Sequence, residues 1–128
     1  MITRDLQLYN YGWRLFVFYD IRIDDLDIVL PKLWENGCSN AGIKDVARAI
    51  VYPNSGFTHT NNRFSIMGIG WSDSAKEFFN TLVHEINHLQ DDICTYYRLP
   101  VKGEIASLVA GDIAMNMYNS FKYYITYA

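Results

Sequence analysis

The chain has 128 residues, half of them apolar and 16% aromatic, with 11 Lys+Arg against 14 Asp+Glu for a net charge of −3. This is one globular domain over residues 1–128, and the composition excludes a disordered, collagen-like or coiled-coil protein. The basic residues are scattered, which excludes the electrostatic footprint of a nucleic-acid binder, and no apolar run nears the roughly 20 residues that span a bilayer.

The first 25 residues do not read as a signal peptide. Their longest purely apolar run, Leu15–Tyr19, is flanked by Arg14 and Asp20, whereas a signal core needs about 7–15 apolar residues. The expected compartment is the cytoplasm, and Cys38 and Cys94 are expected as free, buried thiols rather than a disulfide.

Arg14–Ile23 alternates with period two, which predicts a strand. Leu15, Val17, Tyr19, Ile21 and Ile23 share one face, and Phe16 and Phe18 share the other. Asp24 or Asp25 can cap a helix that carries Leu26, Val29, Leu30 and Leu33 and stops at Gly37. Pro31 within it predicts a late start or a bend. A short helix follows over Ile43–Ile50, then a turn over Pro53–Gly56.

Phe57–His59 and Arg63–Trp71 read as a hairpin around Asn61–Asn62. In its second strand Phe64, Ile66, Gly68 and Gly70 face one way, and Ser65, Met67, Ile69 and Trp71 the other. Two glycines on one face weaken a strand but let another backbone come close. Ser74 and Glu77 have capping-box spacing, and Phe78, Leu82, Ile86 and Leu89 continue as a helical stripe. A last helix is expected over about Glu104–Tyr118. The aromatic tail after it adds a strand or covers the core.

The chemistry-bearing motif lies on the capped helix. His84-Glu85-Ile86-Asn87-His88 is His-Glu-x-x-His. Residues four apart stand one turn apart on one helix face, so the two imidazoles can share one cation. Glu85 sits at the edge of that face, where it can reach a metal-bound water without being a ligand. Random placement at this composition gives the motif roughly twice in a thousand chains.

A catalytic zinc site usually has a third protein ligand and an open position. No histidine lies downstream, so the third ligand is expected to be acidic: Glu104, 16 residues after His88, or Asp112, 24 after it. A first helix running straight to Arg98 would leave Glu104 about 15 Å from the histidines along the axis and bring Asp112 nearer. Glu104 reaches the metal only if that helix ends early, near Asp92–Cys94. The weak helix formers of Ile93–Tyr97 favour such an end.

The order of strand, His-Glu-x-x-His helix and second helix with a glutamate resembles the zincin peptidases. It is closest to small gluzincin-like peptidases of bacteria, phages and mobile elements. The similarity spans about Arg63–Tyr118, and its second motif is Gly103-Glu104-Ile105-Ala106-Ser107-Leu108-Val109-Ala110-Gly111.

The resemblance implies an α+β zincin-like fold, a small twisted and mostly antiparallel sheet packed on the motif helix with a second, C-terminal helix. It implies a zinc-dependent peptidase acting on a peptide or protein. Zn²⁺ is held by His84, His88 and Glu104, Glu85 is the general base, and the strand bearing Ile66, Gly68 and Gly70 pairs with substrate as an exposed edge. Larger gluzincins often carry an aspartate four residues after the ligand glutamate, where this chain has Leu108. Asp112 or a carbonyl would then orient an imidazole.

Oxyanion-stabilising candidates are His59, Tyr96, Tyr97 and Tyr118. The alternatives are an inactive zincin-like binding or accessory protein of a phage or mobile element, and a zinc hydrolase of non-peptide amides.

Overall fold

A computed structural model of the chain describes the backbone of residues 1–127 and the side chains of residues 1–122. Among the described residues there are four strands and four α-helices, an α+β arrangement: β1 (Ile2–Leu8), β2 (Trp13–Ile21), α1 (Leu26–Glu35), α2 (Asn40–Ile50), β3 (Gly56–Asn61), β4 (Phe64–Gly70), α3 (Ala75–Tyr96) and α4 (Glu104–Tyr127). The last helix runs on through the aromatic tail, so that tail adds no strand.

The strands form one mixed sheet in the order β1-β2-β4-β3. β1 is antiparallel to β2, β2 is parallel to β4, and β3 is antiparallel to β4. A parallel neighbour requires a crossover, and here the chain leaves β2, forms α1 and α2, and returns through β3. Both sheet faces are covered. On one face Trp13, Leu15, Val17, Tyr19, Met67 and Ile69 pack with the apolar stripes of α3 and α4. On the other, Phe18, Ile21 and Ile66 pack with Val29 and Leu33 of α1 and Val46 and Ile50 of α2.

The alternation read for β2 holds from Leu15 to Tyr19 and then breaks. Asp20 takes a left-handed conformation (φ 59°) and the register to β4 shifts between Tyr19 and Ile21. Such a bulge inserts one residue and reverses the facing of those that follow. Ile21 therefore joins the α1–α2 side instead of sharing the face of Tyr19, and Ile23 lies exposed in a short 3₁₀ turn.

α1 runs through Pro31 from Leu26. It ends before Gly37, whose φ of +84° suits a residue without a Cβ. The hairpin turn falls at Asn62-Arg63, with Asn62 left-handed at φ 56°.

The Ser74 cap is formed, its Oγ accepting the Glu77 N–H at 3.2 Å. The expected early end of α3 near Asp92–Cys94 is not found. Ile93 and Cys94 are fully buried in the α3–α4 core, and that burial outweighs their weak intrinsic propensity. Cys38 and Cys94 are both free and buried. Among the described residues no helix is long and apolar enough to cross a membrane.

Candidate metal centre

Going round α3 at about 100° per residue sorts its side chains into three sectors. Phe78, Leu82, Leu89 and Ile93 form the buried sector under the sheet. Phe79 and Val83 turn toward α4, where they line a groove with Ala114, Met115 and Tyr118. Thr81, Glu85 and Asp92 turn toward β3. His84 and His88 lie just outside that last sector, exposed beside the sheet edge that β3 forms.

The two imidazoles are in contact. His84 Nε2 and His88 Nε2 are 3.1 Å apart, with the rings edge to face at 82°. Two nitrogens bound tetrahedrally at about 2.0–2.1 Å stand about 3.3 Å apart. The observed 3.1 Å is close to that spacing. The ligand atoms of His84, Glu85 and His88 all lie within 4.8 Å of one another. Among the described residues this is the one cluster of three or more His, Cys, Asp or Glu side chains able to hold a metal ion.

Glu85 is only 3% exposed although it is acidic. Its Oε1 accepts a hydrogen bond from Thr58 Oγ1 at 2.9 Å. Burial pushes its carboxyl above the ordinary range, while the Thr58 hydroxyl and the two histidines pull the other way. Gly56 makes room for this packing. A Cβ there would stand 3.0 Å from Glu85 Cγ and 2.9 Å from both Thr81 Cγ2 and the Gly68 carbonyl. Two residues past Thr58, Thr60 donates to Asp92 Oδ2 at 2.6 Å and sits 2.6 Å from Ser65 Oγ, which accepts from Trp13 Nε1 at 3.0 Å. Gly56, Thr58 and Thr60 alternate along β3 on the α3 side, so β3 clamps the acidic sector of the motif helix. From the sequence, Gly56 is expected in a turn, whereas it opens β3, and Thr58 and Thr60 carry no expected role. Their only signal was small and hydroxylic residues at every second position.

The structure does not bring Glu104 to the histidines. α4 packs on the Phe79–Val83 sector, about 100–180° around α3 from His84 and His88. Glu104 opens α4 about ten residues, or about 15 Å, before the level at which Ala114 and Met115 face Val83 and Ile86. Asp112 is occupied elsewhere, accepting from Tyr11 Oη at 2.5 Å. Leu108 is exposed on the outer side of α4.

The strand expected as the substrate edge is also corrected. β4, with Ile66, Gly68 and Gly70, is paired on both sides and buried. Its glycines serve packing instead. A Cβ on Gly68 would stand 2.1 Å from the Phe57 ring, and one on Gly70 would stand 2.9 Å from the Ser55 carbonyl. The edge beside the histidines is β3.

Of the oxyanion candidates, His59 bonds through Nε2 to the Asn36 carbonyl at 2.8 Å, on the α1–α2 side of β3. Tyr97 donates to the Tyr11 carbonyl, Tyr96 packs edge-on against Trp13, and Tyr118 lines the α3–α4 groove. None of these contacts reaches the histidine pair. No known protein family, curated protein or solved structure matches the chain.

Proposed function

We propose that this chain is a zinc-dependent hydrolase of peptide bonds, with His84 and His88 as metal ligands and Glu85 as general base. The observation that carries the reading is the 3.1 Å separation of the two Nε2 atoms beside a buried carboxylate. Zinc bound there would lower the pKa of a coordinated water toward about 7 and polarise a carbonyl oxygen. Glu85 accepts a proton at that place and returns it to the leaving amine, held in position by Thr58. Its raised proton affinity suits a base that must give the proton back. The half-buried edge strand β3 runs alongside and offers main-chain groups to an extended peptide. This edge takes the place first expected for β4.

The second reading is a metal-binding accessory protein without turnover. The observation favouring it is that, among the described residues, neither Glu104 nor Asp112 joins the pair.

One set of measurements separates the two. Purified protein is expected to bind about one zinc per chain, with loss of binding in His84→Ala and His88→Ala. Glu85→Gln is expected to keep the metal and to lose peptide cleavage by about 10²-fold or more. Zinc binding with no cleavage of a broad peptide library supports the accessory reading. Cleavage that survives Glu85→Gln overturns the mechanism.

A further inference from the structure

The β3–β4 hairpin decides which main-chain groups of β3 are free. Its two-residue turn makes Asn61 and Phe64 a hydrogen-bonded pair, so every second residue of β3 turns its N–H and C=O toward β4. The same phase holds at the far end, where the Gly70 N–H donates to the Ser55 carbonyl at 2.8 Å. Phe57, His59 and Asn61 therefore face inward. Gly56, Thr58 and Thr60 point their main-chain groups out over the edge of the sheet, and among the described residues no hydrogen bond engages those groups.

A cavity of about 380 Å³ adjoins this edge on the α1–α2 side of the sheet, the face opposite to the histidines. Leu33, Cys38 and Val46 line it from the buried side, and Phe57 and His59 line it from β3. No Asp, Glu, Lys or Arg borders it, and the His59 ring is held by the Asn36 carbonyl. It therefore disfavours a charged occupant. Its size lies at the low end of the roughly 300–1,000 Å³ range of small-molecule pockets, which suits one large side chain better than a cofactor.

Thr58 belongs to both faces. Its hydroxyl holds Glu85 on the α3 side, so it borders the cavity through its main chain. The cavity and the base thus stand at the same level of β3, on opposite faces of the sheet.

Resting on the reading of β3 as the edge that receives a peptide, we propose that this cavity is the specificity pocket of the site. An extended peptide pairs with Gly56, Thr58 and Thr60 and buries one large apolar side chain, such as Leu or Phe, against Leu33, Val46 and Phe57. Side chains alternate along a strand, so the residues before and after that anchor turn toward Glu85 and the histidines. The metal site then acts on bonds that flank an apolar anchor.

The probe is a set of fluorescein-labelled octapeptides of alanine and serine with one central Leu, Phe, Ala, Lys or Asp. They are titrated by anisotropy into zinc-loaded Glu85→Gln protein. Leu and Phe peptides are expected to bind about tenfold or more tighter than the Ala peptide, and Lys and Asp peptides no tighter than Ala. N-methylation moved one residue at a time along the Leu peptide is expected to alternate between loss and tolerance, as main-chain pairing requires. Cys38→Met fills the cavity and is expected to lower the Leu-to-Ala affinity ratio about fivefold. Val46→Ala widens it and is expected to raise the Phe-to-Leu ratio. These ratios do not depend on the fraction of protein that is folded.

Equal affinity for all five anchors overturns the proposal. So does N-methylation without alternation, or ratios that neither cavity variant moves. The hydrolase reading fails separately: wild-type protein that binds apolar-anchored peptides and cuts none keeps the pocket and loses the hydrolase. Wild-type protein that cuts Ala and Leu peptides equally well keeps the hydrolase and loses the pocket.

Discussion

Glu85 shows what the site costs the fold. Burial raises its carboxyl above the ordinary value near 4.5, against the opposing pull of Thr58 and the histidines. The folded protein therefore holds this proton more tightly than the unfolded chain does, and stability falls as pH rises from about 4.5 through the raised value. Below that window both states are protonated and no penalty exists. Above it the penalty is constant. Glutamine keeps an oxygen for the Thr58 hydroxyl but carries no charge. Metal-free Glu85→Gln is therefore expected to match the wild type near pH 4 and to exceed it in stability by a growing margin toward pH 8. Urea denaturation at several pH values checks this, and equal stabilities across the range would show that the carboxylate is comfortable where it sits. The same residue was legible in the sequence, because His-Glu-x-x-His places its three side chains by helix geometry alone. Thr58 and Gly56 were not, because nothing local says which strand will lie against the acidic sector of α3.

Elements were readable where one short-range signal decided them. The Ser74 cap and the stripe from Phe78 to Leu89 set α3, and Asn61–Asn62 marked the hairpin, whose turn falls one residue later at Asn62–Arg63. β1 gave no such signal. It is an exposed edge strand with charges at Arg4 and Asp5, and it is held by its ladder to β2. The parallel β2–β4 pairing was hidden for a related reason. It depends on a crossover of more than 40 residues from Ile21 to Phe64, so β4 was expected at an edge when it is central. That location gives its glycines a sharper role. Gly68→Ala would push a methyl against the Phe57 ring and stand 2.8 Å from Ile21 Cδ1. Overpacking of this kind costs about 1–3 kcal/mol. The expected result is a matching drop in unfolding free energy, partly restored by Phe57→Leu, which removes the clashing ring atoms. A Gly68→Ala protein as stable as the wild type would mean that Phe57 has an alternative rotamer free of charge.

At the scale of the molecule, what sets the metal centre is which side of α3 the last helix takes. The sequence placed a glutamate and an aspartate on that helix at suitable distances along the chain, but the sector on which α4 docks follows from long-range packing. Tyr11, in the β1–β2 connection, helps to fix it. Its hydroxyl donates to Asp112 of α4, and its carbonyl accepts from Tyr97 just past α3. Burial and then the Asp112 carboxylate drive the Tyr11 phenol well above its usual value, so it remains a donor at any working pH. Tyr11→Phe removes a hydrogen bond to a carboxylate, and the expected loss is about 1–2 kcal/mol, a fall in Tm of roughly 4–7 °C. It also releases Asp112 from its partner, which makes the substitution a test of the site's composition. With α4 on the Phe79–Val83 side, a freed Asp112 still cannot reach His84 and His88. Zinc affinity at neutral pH is therefore expected to be unchanged in Tyr11→Phe, while His88→Ala abolishes it. A clear rise in zinc affinity on freeing Asp112 would show that α4 can swing its carboxylate round to the histidines and complete the site from the far side of α3.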